Sequence, residues 1–194
     1  MANIGRVGRI GRALYGAMMR LVPRNRLGDR ILAFAYFVAK QHRLPTSRPL
    51  FNDMLYRIKT TDEVFDPLRV FVSDKEFVKL YVKAVAGDEY NVPTFAVLRS
   101  PAEVDAYDFP AECCIKPTQA SGAFIFRRAG EPVDRDEIKR RFSLDHYAAT
   151  REANYRYLVP KVIVEPLLSQ DGGLLDYRFF CVGGKPKFIT VDTG

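Results

Sequence analysis

The stretch that most limits how this chain can fold is residues 112–126, ECCIKPTQASGAFIF. It predicts strand, tight turn, strand. Cys113, Cys114 and Ile115 are apolar and favour extended backbone. Lys116 precedes Pro117, which steers it away from helix toward the β region. Residues 118–122 are small and polar, and an apolar run resumes at Ala123. A lysine at the end of a buried strand, followed at once by a small-residue loop, can hold phosphate. The ammonium supplies charge, and loop N–H groups can converge on one anion. The plain alternative is an ordinary β-hairpin with a solvated lysine, because the loop has a single glycine and is no P-loop.

A chain of 194 residues can build one sizeable core, or one and a half small domains. Three cysteines, two of them adjacent, make no disulfide framework and no CxxC pair, which fits a reducing compartment. The two histidines, His42 and His146, stand apart from other soft ligands, so no metal site is expected. The net charge of +7 is uneven. Residues 1–50 hold ten Lys/Arg against Asp29 alone, whereas the remainder holds twenty basic and twenty-two acidic residues. The near-neutral body argues against nucleic acid as a partner.

Residues 1–22 pattern as a basic amphipathic helix. At about 100° per residue, Ile4, Val7, Ile10, Leu14, Met18, Leu21 and Val22 share one arc, with Arg6, Arg9, Arg12 and Arg20 opposite. Such a helix can lie on an anionic membrane interface. The alternatives are a helix packed on the protein's own core, or a disordered tail. Pro23 ends it. Residues 31–39, ILAFAYFVA, are far short of the ~20 residues that span a bilayer and read as a buried helix. A polar, proline-flanked connector follows at 42–49.

Residues 51–59 have helical spacing. Ser73 with Glu76 three residues on predicts a capping box that opens another helix, with Phe77, Leu80, Tyr81 and Ala84 as its apolar face. Gly87 ends that helix, and residues 92–98 read as a strand. A charged helix is expected near 134–142. Residues 162–165, VIVE, form a strand that runs into Pro166. Residues 175–182 form another, with Asp176 and Arg178 on one side and Tyr177 and Phe179 on the other. Gly183-Gly184 is a hairpin signal, and 187–191 returns as a third, buried strand. The chain stops just after it, at Gly194, which reads as a truncation. Three regions are expected: 1–48 basic and helical, 49–110 a helical or α+β lobe, and 111–194 a nucleotide-binding lobe with the start of a catalytic lobe.

In that order, the segments FNDMLYRIK, SDKEFVKLYVKAVAGDEYNVPTFAVL, CCIKPTQASG, VPKVIVEPLL and DYRFFCVGGKPKFITVD resemble the ATP-grasp superfamily. More closely, residues 50 to 194 resemble its TupA-like branch, found with bacterial surface polysaccharide biosynthesis. The resemblance implies an α+β fold, with two small α+β lobes around a nucleotide cleft.

It also implies roles. Lys75 and Lys116 contact the phosphates of ATP, and Gln119, Ser121 and Gly122 belong to a mobile loop that closes on them. Glu165, Pro166 and Leu168 form a hinge along the adenine. There the Pro166 carbonyl accepts from the amino group, and the Leu168 N–H donates to a ring nitrogen. Proline lacks only the N–H, so Pro166 can still fill that place. Arg178 faces the transferring phosphoryl group, and Asp176 orients Arg178 or contacts the acceptor. Lys187 is a further cofactor-binding candidate, although it reads more readily as structural. A solvated lysine at 75, an edge carboxylate at 165 and a plain Asp176–Arg178 ion pair are the alternatives.

The chain departs from the family in two places. The loop lacks the usual asparagine, histidine and second glycine, which stiffens it. The family's Mg²⁺ ligands lie on strands later than Gly194, so the chain is expected to bind adenine nucleotide without turning over alone. The function implied is an ATP-dependent carboxylate–amine ligase acting on a polysaccharide or lipid-linked precursor, cytoplasmic or peripheral on the inner membrane face. A glycosyltransferase is the alternative enzyme. A non-catalytic nucleotide-binding module is the alternative that is no enzyme.

Overall fold

The computed structural model describes residues 15–168 and 175–193. The fold is mixed helix and sheet, as expected. It divides into two compact units, residues 1–78 with 145–159, and residues 79–144 with 160–194. Most of the expected N-terminal amphipathic helix, residues 1–14, lies outside the described residues, as does the chain end at Gly194. Residues 15–21 are helical, and the helix ends before Pro23.

The first unit is helical. Asn25 opens α1 (Arg26–Gln41), its side chain accepting from Gly28 N, and His42 closes it in the left-handed region at φ 52°. α1 packs against α2 (Phe51–Thr60), with the rings of Phe37 and Tyr56 5.3 Å apart. Arginines from α1 serve the C-terminal end of α2, where carbonyls lack helical partners. Arg26 Nη2 donates to Thr61 O at 2.7 Å, and Arg30 Nε to Thr60 O at 2.8 Å. Asp53 in α2 is buried and accepts from Arg43 and Thr46. The Arg43 hydrogen bond is the main reason its carboxyl sits well below the carboxylate range.

A second buried acid, Asp29, ties the ends of this unit together. It accepts from Tyr147 Oη at 3.0 Å and from Arg151 Nη1 at 3.2 Å. Tyr147 lies in α7 (His146–Thr150), and Arg151 follows it at φ 59°. The Arg151 guanidinium also donates to the carbonyls of Met19, Val22 and Pro23, so it caps the helix of residues 15–21. A cavity of about 120 Å³ lies beside this network, walled by Tyr15, Leu32, Tyr36, Phe37 and Tyr56.

Two expectations are corrected here. α1 is not buried throughout: Leu32 and Phe37 are, but Ile31, Phe34 and Tyr36 are exposed. The second correction concerns α4 (Phe77–Val85), which follows α3 (Pro67–Ser73). Its first turn is capped by Asp74, whose Oδ1 accepts from Glu76 N at 2.8 Å. Ser73 is still engaged by the preceding helix, donating to Arg69 O at 2.8 Å. On α4, Leu80, Tyr81 and Ala84 face outward, while Lys79 and Val82 are partly buried.

The second unit is built on a four-stranded antiparallel sheet in the order β1 (Ala96–Leu98), β4 (Val162–Glu165), β2 (Cys113–Pro117), β3 (Ile125–Arg127). Register places Leu98, Cys113, Ile115, Val162 and Val164 on one face. That face packs against Val104 of α5 (Pro101–Ala106) and Ile138 of α6 (Arg135–Arg140), both at 0% exposure. Ser100 caps α5, and Glu103 reaches back to Arg99 N at 3.0 Å. The sequence reading did not anticipate this helix. β1 is shorter than the expected 92–98 run. Pro93 has no N–H to donate, and the Val92 carbonyl accepts from Lys79 instead of a strand.

β5 (Leu175–Val182) and β6 (Lys185–Thr193) pair as a separate two-stranded ribbon. Gly183 and Gly184 both have positive φ, 58° and 75°, as a two-residue hairpin turn with right-handed strand twist requires. Phe188, Ile189 and Val191 are about half exposed, which corrects the expectation of a buried third strand.

Candidate functional site

The sheet face opposite the core carries the chemistry. Alternation along β2 and β4 puts Cys114, Lys116, Ile163 and Glu165 on it. Phe126 of β3 stands opposite Cys114 and shares that face. Glu165 is 5% exposed, yet it is a carboxylate at the end of a strand that is otherwise aliphatic. An unpaired buried charge is costly, and two lysines meet it. Lys116 Nζ donates to Oε2 at 2.6 Å, and Lys79 Nζ pairs with Oε1. Lys79 also donates to Val92 O at 2.6 Å and to Thr94 Oγ1 at 2.9 Å. An ammonium has three donors, so Lys79 is fully spent on the protein. Lys116 is more open, with its side chain 33% exposed against 18% for Lys79.

Burial alone would push the Glu165 carboxyl up. The two lysine hydrogen bonds outweigh it and hold the group below its ordinary value. The cluster therefore carries two cations against one anion. Lys79 is its anchored cation, and Lys116 the more exposed one. The neighbouring Cys114 thiol is pushed up, chiefly by burial.

The loop after Lys116 is anchored at its base. Thr118 N donates to Lys161 O at 2.9 Å. Gln119, expected in the moving part of the loop, is 3% exposed. Its Nε2 donates to Arg141 O at 3.0 Å, and its Oε1 accepts from Lys161 N at 3.4 Å. Gln119 thus fixes the loop base. Ser121 and Gly122 form the exposed tip, and Gly122 has φ 74°, where a side chain would be strained. Phe124 and Phe126 follow, their rings 4.8 Å apart.

Pro166 and Leu168 continue directly from Glu165. Pro166 is partly buried, and the Leu168 side chain is 53% exposed. Asp176, Arg178 and Lys187 lie on the separate ribbon. There Arg178 Nε donates to Asp176 Oδ2 at 3.2 Å, and Arg178 Nη2 pairs with Asp192 Oδ2 at 2.7 Å. Lys75 lies in the turn before α4, in the first unit.

Sequence reasoning missed Lys79 and Asp192. Lys79 had a signal, since it is the one charged residue among the four residues 77–80, FVKL. Asp192 had none, because its role depends on ribbon register. Among the described residues no three of His, Cys, Asp or Glu converge as metal ligands.

The chain belongs to the TupA-like ATPgrasp family, whose family model matches residues 55–194. No curated protein and no solved structure matches it.

Proposed function

We propose that this protein is an ATP-dependent ligase that joins a carboxylate to an amine through an acyl phosphate. Its acceptor is a bacterial cell-surface polysaccharide or a lipid-linked precursor of one. The observation that carries the nucleotide part is the Lys79–Glu165–Lys116 cluster, with its excess positive charge directly before residues 166–168.

In this reading Lys116 binds the phosphates of ATP, and Glu165 holds the ammonium in place. Lys75 is a second phosphate contact. The exposed tip at Ser121 and Gly122 closes over the phosphates, while Gln119 anchors its base. The Pro166 carbonyl accepts from the adenine amino group, and the Leu168 N–H donates to a ring nitrogen. Arg178, steadied by Asp176, balances charge on the transferring phosphoryl group, and Lys187 adds positive charge on the same ribbon. A carboxylate oxygen attacks the γ-phosphorus and ADP leaves. An amine then attacks the acyl carbon, phosphate leaves, and the amine proton passes to solvent.

Competition binding tests the reading. Displacement of a fluorescent adenine nucleotide by ATP and ADP, but not by UDP-glucose, is expected. Displacement by UDP-glucose at equal or lower concentration would favour a sugar-nucleotide enzyme instead.

A further inference from the structure

α1 carries a second feature that nucleotide binding does not use. Leu27, Ile31 and Phe34 stand at i, i+4 and i+7, which places them on one side of the helix. They are 67%, 45% and 43% exposed, while Leu32 and Phe37 on other sides are buried. Leu21, in the preceding helical turn, is 82% exposed. The result is an apolar stripe with no covering element among the described residues.

Its sequence setting is predominantly basic. Residues 1–50 contain ten Lys/Arg and a single acid. That acid, Asp29, is 4% exposed and already satisfied by Tyr147 and Arg151. Exposed arginines stand near the stripe: Arg20 and Arg24 before the helix, with Arg24 4.0 Å from the exposed Asp145, and Arg30 at its edge, where Nε donates to Thr60 O and the rest of the guanidinium is exposed. From the elements packed on α1, Asp53 is buried against Arg43, and the exposed Asp62 lies 3.8 Å from Arg26.

We propose that this face of α1 lies in an anionic membrane interface, with Leu27, Ile31 and Phe34 in the acyl boundary and the flanking arginines at the headgroups. The helix has 16 residues, about 24 Å at 1.5 Å per residue. None of the described helices is long and apolar enough to cross a bilayer, so the contact is lateral. A nucleic acid would use the arginines but would leave the stripe wet. A lipid surface uses both.

The chain has no tryptophan, so Phe34→Trp places a single reporter in the stripe. In the full chain at low salt, its emission is expected to be red in buffer. It shifts to the blue with phosphatidylcholine vesicles containing phosphatidylserine, and the shift weakens with added salt. A red emission that does not move overturns the proposal. So does an emission already blue in buffer, which would mean that the chain itself or a second copy covers the stripe. Sedimentation with the same vesicles is the second measurement. Leu27→Ser with Ile31→Ser is expected to cut the bound fraction roughly tenfold or more, by loss of apolar burial, with helical circular dichroism unchanged. Unchanged sedimentation in a folded variant would show that the arginines alone carry binding, and would overturn the role of the stripe.

Discussion

Glu165→Gln separates a working ion cluster from an incidental contact. The wild-type carboxylate gives one oxygen to Lys116 at 2.6 Å and the other to Lys79. Glutamine has one acceptor oxygen and an NH₂ group. One lysine would then lose its acceptor and face a donor, and two ammonium groups would meet with no anion between them. Removing one partner of a buried pair costs about 3–5 kcal/mol. The low end, about 3 kcal/mol, applies here. Both lysines keep some solvent, and Lys79 retains the Val92 carbonyl and the Thr94 hydroxyl.

Hydrogen exchange at the amides of β2 and β4 reads this locally, and a loss of that size speeds exchange roughly a hundredfold. The sign with pH also follows. The Glu165 carboxyl is held below its ordinary value. Its contribution is full above about pH 4.3, the unfolded value, and is lost as pH falls through the lower folded value. The gap between wild type and variant should therefore narrow in acid. Lys79→Met added to Glu165→Gln should recover part of the loss, since one uncompensated cation goes. An exchange change below about threefold, or a gap that does not narrow in acid, would refute the account of this cluster.

Three further outcomes are expected. Arg151→Met leaves Asp29 buried without its cation and uncaps the helix of residues 15–21; a loss of about 3–5 kcal/mol is expected in urea unfolding of the first unit, and under 1 kcal/mol would contradict the role given to the network. Gly28→Ala places a Cβ 2.0 Å from the Pro23 carbonyl and 2.9 Å from Val22 Cγ1, so it should destabilise by about 1–3 kcal/mol, seen as a lower melting temperature. Of the three cysteines, Cys181 is exposed, while Cys113 and Cys114 are buried with thiols pushed up chiefly by burial; a thiol reagent at mildly alkaline pH should modify one group quickly in the native chain and all three after denaturation.

Much of the second unit was legible because its strands announce themselves locally. Cys113–Pro117 and Val162–Glu165 are short, mostly apolar runs, with a charge at the penultimate position of the first and the last of the second, and Gly183-Gly184 leaves little choice of turn. The ion pair of Lys116 with Glu165 was not legible in the sequence, since 49 positions separate them. Lys79 was hidden by Lys75, which sits at the more conspicuous helix start. The cap fell to Asp74 because α3 keeps Ser73 to its last turn, and sequence does not show where one helix ends when the next begins so soon. In α1, nine consecutive apolar residues cover the whole circumference, so composition says helix without saying which side is inside. Gln119 read as loop because it lies between small residues; its burial depends on Arg141 and Lys161, distant in sequence.

The most direct test of the central claim is a calorimetric titration of ATP with Mg²⁺ into the wild-type chain and into Lys116→Ala. Hydrogen bonds to charged groups contribute about 1.5–3 kcal/mol. The account therefore predicts saturable binding by the wild type and a roughly tenfold to hundredfold weaker constant for the variant. Saturable binding that Lys116→Ala leaves unchanged, or a wild-type chain that takes up no ATP, would contradict it.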